Sequence, residues 1–246
     1  MLNNLIQIYL ESHPEDLRPQ EELDRLEDLN LFGGDMTDLS KPIEAPVQPE
    51  CRQCTKAVRG FKCKRNQRHV QCSKCNQAMP LRADTQQQCS CCNAFFCNLY
   101  WDTAPRCAGG LNPLESYIDT TFTGMSDSSI NGNKFEQNVL QDYLNKKRTS
   151  YKKLAQTLVA SADQEAWVLE VPEHTPATYK ANSTVCTDCA VLVWNQLLYK
   201  YREQINDQLP RYITKRDDCW HGKECRTQRQ NIMHAQKLNH ICNRKQ

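Results

Sequence analysis

Long apolar runs are missing from this 246-residue chain. No segment approaches the roughly 18 consecutive apolar residues that a membrane-spanning helix needs, so no membrane partner is expected. The opening stretch, MLNNLIQIYLESHPEDLRPQEELDRLED, lacks a basic start, an unbroken apolar centre and a small-residue cleavage site. It therefore does not read as a secretory leader. The HExxH and HxE patterns of hydrolytic metal centres are also missing, which argues against a catalytic zinc. Apolar content is modest at 39%, cysteine included, and mean hydropathy is low at -0.74. A core this lean needs a second source of stability.

Cysteine is plentiful. Fifteen thiols in 246 residues mean either disulfides in a secreted protein or metal in a reducing compartment. Without a leader, and with an odd count and repeated CxxC pairs, the balance falls to zinc. A two-residue gap sets two thiolates on one side of a tight turn, about 2.3 Å from a shared Zn²⁺. The expectation is an intracellular, zinc-built protein.

Residues 1–50 carry twelve Asp and Glu against three Lys and Arg. Leu2, Leu5, Ile6, Ile8 and Leu10 predict a short helix ending near Pro14, followed by a polar linker. The charge then inverts, and from Cys51 to Arg82 there is no acidic residue at all. Clustered thiolates need compensating cations, which explains the basic run more simply than nucleic-acid binding does. Further on, Phe135, Val139, Leu140, Tyr143 and Leu144 follow helical spacing. Thr149 or Ser150 is placed to cap a second helix through Leu154 and Leu158. AWVLEVP (166–172) reads as a strand, and the residues after Cys189 as a third helix burying Trp194, Leu197, Leu198 and Tyr201.

The candidate ligands begin C-x2-C-x8-C-x5-H-x2-C-x2-C-x13-C-x2-C: Cys51, Cys54, Cys63, His69, Cys72, Cys75, Cys89 and Cys92. One histidine among seven cysteines resembles the order of a RING-type cross-brace. That arrangement would join Cys51, Cys54, Cys72 and Cys75 on one ion, and Cys63, His69, Cys89 and Cys92 on another. Cys97, Cys107, Cys186 and Cys189 then remain for a third. Cys219, Cys225, His234 and His240 complete a fourth, so about four structural Zn²⁺ are expected, each closed by four protein ligands. His13, His174 and Cys91 are read as non-ligands, and Cys242 as at most a substitute for His240. The expected fold is a small zinc-stabilised α+β protein: an acidic N-terminal helix and linker (1–50), a cysteine-rich multi-zinc domain with several helices (51–210), and a C-terminal C2H2-type finger (211–246).

The finger's spacing, C-x5-C-x8-H-x5-H, is not that of a DNA-reading ββα finger, which has C-x2–4-C-x12-H-x3–5-H. RDDCWHGKECRTQRQNIMHAQKLNHIC instead resembles the poly(ADP-ribose)-binding zinc finger. LNNLIQIYLESHP, CRQC, the C-x5-H-x2-C-x2-C block and QCSCCNAFFCNLYW are similar to the region following the RING domain in the CHFR family of mitotic-checkpoint E3 ubiquitin ligases. Neither the forkhead-associated nor the RING domain of that family is in this sequence. Ubiquitin transfer, with E2 enzymes and ubiquitin as partners, is thus implied by the family rather than by these residues, and the chain alone is expected to be non-catalytic. The resemblance implies a nuclear reader of poly(ADP-ribose) and of proteins carrying it. Trp220 or His221, or both, would stack on adenine, Lys223 and Arg226 would meet pyrophosphate, and Arg216 and Gln228 would add ribose or phosphate contacts. The alternative is a zinc-dependent scaffold, or an RNA- or DNA-binding module, without ubiquitin transfer of its own.

Overall fold

The computed structural model describes residues 50–58, 60–101, 107, 110–165, 168–169 and 177–245. The expected helix and linker of residues 1–49, as well as His13 and His174, lie outside the described residues. Gln48–Gln246 form one compact unit. Its regular elements run α1 (Arg52–Thr55), β1 (His69–Gln71), β2 (Ala78–Pro80), α2 (Asn98–Trp101), β3 (Leu111–Pro113), α3 (Lys134–Lys146), α4 (Tyr151–Glu165), β4 (Val168–Leu169), β5 (Ala177–Thr178), β6 (Thr184–Cys186) and α5 (Thr187–Gln204). The finger follows with α6 (Arg211–Thr214), α7 (Thr227–Gln230) and α8 (Ile232–Lys237). Of the strand expected at 166–172, Val168–Leu169 are described, and they pair antiparallel with Ala177–Thr178.

The described residues form three two-stranded antiparallel ladders. Such short ladders are not independently stable, so helices and ligand clusters must hold them. The helical core is where apolar periodicity places it. α3 buries Val139, Leu140, Tyr143 and Leu144, α4 buries Leu154 and Leu158, and α5 buries Val193, Trp194, Leu197 and Leu198. Tyr201, expected inside, is only partly buried and packs at the core's edge. Caps set the helix starts. Asn133 Oδ1 accepts the Glu136 amide (3.0 Å), Ser150 Oγ accepts the Lys153 amide (3.3 Å), and each satisfies an amide with no partner inside the helix. The Trp194 indole stacks on Phe122 with centroids 4.9 Å apart and donates to the Gly124 carbonyl (2.8 Å).

A second, smaller cluster is built largely of sulfur: Cys72, Cys97 and Cys107 with Met79 and Tyr100. Here the apolar part of the core and the candidate metal site are the same residues.

Candidate metal centres and finger surface

The sixteen candidate ligands fall into four tetrads: Cys51, Cys54, Cys63, His69; Cys72, Cys75, Cys97, Cys107; Cys89, Cys92, Cys186, Cys189; and Cys219, Cys225, His234, His240. Within each, all four ligand atoms lie within 4.8 Å of one another. Zinc–sulfur bonds of about 2.3 Å in a tetrahedron give S···S edges of about 3.8 Å. Four sulfur pairs match this, at 3.6 Å for Cys51–Cys63, 3.7 Å for Cys72–Cys107, 3.6 Å for Cys75–Cys97 and 3.9 Å for Cys92–Cys186, while Cys97–Cys107 is tighter at 3.2 Å. Sulfur-to-imidazole edges are 3.3 Å for Cys54–His69 and 3.4 Å for Cys225–His234.

The cross-brace grouping is corrected by this geometry. Cys63 and His69 join Cys51 and Cys54, not Cys89 and Cys92, because the Cys63 amide donates to the Gln53 carbonyl (2.9 Å) inside the first CxxC turn. The Cys89–Cys92 turn is held elsewhere. The Ser90 amide bonds the Thr184 carbonyl (2.9 Å), and the Cys186 amide donates to Cys89 Sγ (3.3 Å). Backbone bonding to β6 therefore carries this pair to Cys186 and Cys189. Cys72 and Cys75 take Cys97 and Cys107, and the four residues first set aside for a third ion are split between two tetrads.

Two of the turns are near copies. CSKCN (72–76) and CSCCN (89–93) each end on an asparagine at positive φ, Asn76 at 58° and Asn93 at 59°. In each, that asparagine's amide bonds the first cysteine's carbonyl, at 2.8 and 3.0 Å, and the first cysteine's amide bonds a carbonyl five residues on. Asparagine tolerates this left-handed conformation better than other side chains. The repeated Asn was a readable signal for two equivalent knuckles.

The electrostatics suit a divalent cation. Burial and the neighbouring Cys51 push Cys63 up to about 12. Burial, then Cys75, pushes Cys107 up to about 11. Cys97 and Cys189 are driven higher still, Cys97 chiefly by burial and Cys189 chiefly by its contacts with Cys186 and Cys89. Crowded thiols, buried or half-buried, resist ionising together, and a central Zn²⁺ reverses that by supplying the missing positive charge. His240 makes a similar point. Its Nδ1 faces the Leu238 carbonyl at 3.0 Å, which leaves Nε2 as the bare lone pair, and Nε2 is buried without a hydrogen-bond partner. Burial and His234 hold this imidazole below its ordinary pKa. A neutral imidazole oriented by a carbonyl is the form a metal accepts. Zinc held here is structural, since each tetrad is closed by four protein atoms.

Cys91 and Cys242 stand outside the tetrads. Cys91 is buried, and Cys242 Sγ faces the Asn239 carbonyl at 3.4 Å.

The finger is docked on the helical body by polar groups. Glu136, fully buried on α3, accepts Arg202 Nε (2.8 Å) from α5 and Arg216 Nη2 from the finger. Arg216 also donates to the carbonyls of Ile213, Ala235 and Leu238 (2.9, 3.1 and 3.0 Å), and its guanidinium lies over Phe135 at 4.8 Å. Gln228 is buried as well. It bonds Asn133 (2.9 Å) and the Lys223 carbonyl (3.1 Å). Arg216 and Gln228 are thus corrected from surface contacts to internal bridges: Arg216 donates to Glu136 of the body and to carbonyls of the finger, and Gln228 accepts from Asn133 of the body while donating to Lys223 of the finger. At the same seam, Ile130 and Asn131 sit at positive φ (49° and 56°), a costly conformation for a β-branched residue. Asn131 uses it to donate to the Lys223 carbonyl (3.2 Å) and to accept from Arg229 Nε (3.0 Å).

The loop between Cys219 and Cys225 faces outward. Trp220 is 59% exposed, His221 and Arg226 are exposed, and Lys223 is half-buried. Gly222 has φ +48°, and a Cβ there would collide with the Cys242 carbonyl. The close backbone approach that needs glycine is to the chain's own C-terminal segment.

A family model described as a cysteine rich domain with multizinc binding regions matches residues 51–205. The chain belongs to this family. It is similar along 98% of its length to curated proteins named E3 ubiquitin-protein ligase CHFR, at 29% identity over 312 aligned residues for the Danio rerio protein. Identity is 25% for the Homo sapiens protein and 26% for that of Xenopus tropicalis. The chain spans about half the length of these relatives, covering 48%, 46% and 48% of them. Among the described residues no helix is long and apolar enough to cross a membrane.

Proposed function

We propose that this chain is the zinc-built, poly(ADP-ribose)-reading region of a CHFR-like E3 ubiquitin ligase that acts in the nucleus in mitotic checkpoint control. The observation that carries the reading is the outward loop of CWHGKEC, with Trp220 59% exposed between two buried ligand cysteines. Poly(ADP-ribose) offers adenine faces and closely spaced pyrophosphates. Trp220 or His221 stacks on adenine, a contact worth about 1–3 kcal/mol per base by analogy with single-stranded nucleic acids. Arg226 meets pyrophosphate through its planar fork, and Lys223 adds a point charge at the loop's inner edge. The tetrad beneath the loop keeps these groups from collapsing, so little ordering is needed on binding. Ubiquitin transfer and its E2 partner belong to the whole ligase, and this region supplies the address.

Poly(ADP-ribose) binding by the zinc-loaded chain and by Cys219→Ala and Trp220→Ala variants tests the proposal. Both substitutions are expected to abolish or sharply weaken binding. Unchanged affinity in both would sink it. Binding that survives them but falls steeply with salt would point instead to the basic segment 51–82 as a general nucleic-acid surface.

A further inference from the structure

The four tetrads differ in one respect that their shared chemistry does not require. In three of them, three of the four ligands are buried, whereas in the first only Cys51 is, and Cys54, Cys63 and His69 are half-exposed. An open cavity of about 590 Å³ leads directly to those three ligands, with Lys64, Arg65 and Glu50 on its walls. The connectivity separates it from the second and third as well: all four ligands come from one short segment, Cys51 to His69, as the finger's do from Cys219 to His240, while the second tetrad spans Cys72 to Cys107 and the third Cys89 to Cys189. The second and third are also embedded in the two apolar clusters.

Reactive cysteines are found where thiolates are partly exposed in electropositive surroundings, and buried structural thiolates are inert. By that criterion we infer that the Cys51–Cys54–Cys63–His69 tetrad is a peroxide-sensitive modification site, the first in this chain to lose its zinc. The inference rests on zinc occupying the tetrads and is independent of poly(ADP-ribose) binding. Cys54 and Cys63 both line the cavity, and Cys63, the nearer of the two to Cys51 Sγ at 3.6 Å against 3.8 Å, is the entry point. Its thiolate attacks one peroxide oxygen, the O–O bond breaks, and a sulfenic acid and hydroxide form. Cys51 Sγ, 3.6 Å away, then attacks that sulfur, forms the S–S bond and expels a second hydroxide. Two electrons have passed from the two sulfurs to the peroxide, and two protons from solvent complete two waters. Cys54 and His69 alone would then remain to hold a Zn²⁺ ion, too few to close the site.

No ligand is shared between this tetrad and the others. Oxidation therefore frees one segment without dismantling the helical core or the finger, and thiol reductant with added zinc reverses it.

The test titrates the zinc-loaded chain with hydrogen peroxide. Released zinc is followed with a chromophoric chelator, and disulfides are mapped by differential alkylation and mass spectrometry. Zinc content measured beforehand settles occupancy separately from lability. The expected result is a distinct first phase of one zinc per chain, with protection from alkylation at Cys63 and Cys51 or Cys54. Reductant and zinc should restore it. The phase should vanish in Cys63→Ser and persist in Cys225→Ser, which lacks the finger site instead. A first phase mapping to Cys219 and Cys225 or to the buried tetrads, or release of all zinc in one step, would overturn the inference. Should Cys63→Ser fail to fold, the mapping in the unaltered chain decides alone.

Discussion

The first and third tetrads use the same turn chemistry for opposite purposes. Each includes a CxxC turn, but Cys51–His69 closes a local loop at the surface, whereas Cys89, Cys92, Cys186 and Cys189 tie together chain nearly a hundred residues apart. In the third, Cys186 is the last residue of β6 and the N-cap of α5, the helix that carries Trp194, Leu197 and Leu198 into the core. Metal there positions the longest helix among the described residues. Metal in the first positions only its own loop, linked to the rest by contacts such as Tyr100 hydroxyl to Gln53 (2.5 Å) and Arg82 over Phe61 at 4.5 Å. A zinc site's worth to a fold thus depends on what its ligands' neighbours hold, not on the ligand set.

The largest expected effect follows from breaking the buried tetrad. Apparent zinc binding of roughly 10–16 kcal/mol per site is comparable to the whole net stability of a domain, about 5–15 kcal/mol. Cys189→Ala should therefore abolish the cooperative unfolding transition of the helical core, as followed by near-ultraviolet circular dichroism and denaturant titration. Next comes the seam between body and finger. Glu136→Ala leaves Arg202 and Arg216 buried without their counter-charge, and one-sided removal of such a partner costs about 3–5 kcal/mol. Denaturant unfolding should show that loss, with hydrogen exchange rising first around Arg216 and α8.

Cys54→Ser should cost less. It is expected to remove one zinc and loosen residues 51–69 in hydrogen exchange while the core transition stays in place, and loss of that transition would erase the distinction between the two tetrads. The smallest effect on stability is expected at Trp220. Truncation of so exposed a side chain should shift stability by no more than about 0.5 kcal/mol. Poly(ADP-ribose) affinity should nevertheless fall by about 1–3 kcal/mol if this ring is the one that stacks. A full loss in His221→Ala with none in Trp220→Ala would assign the stacking to the imidazole.

The contrast also explains what could be read in advance. Ligand residues are legible because CxxC turns and the spaced histidines of the finger are local features. Helices α3, α4 and α5 are legible because their apolar periodicity and their caps, Ser150 among them, are local too. Which tetrad each pair enters was not, since it is decided by backbone bonds such as Ser90 to Thr184 that join segments far apart in sequence. The roles of Arg216 and Gln228 were hidden for the same reason. A basic and an amide side chain beside a candidate loop look like ligand contacts until Glu136 and Asn133, some eighty and ninety-five residues away, are seen to engage them. The repeated CSxCN turn was visible in the sequence and would have flagged two knuckles of one kind.

Native mass spectrometry of the purified chain, counting bound zinc, tests the central claim most directly, because fold, finger and loop all rest on four metal-closed tetrads. The account predicts four zinc ions per chain, falling to three in Cys225→Ser. Two or fewer in the unaltered, folded chain would contradict it.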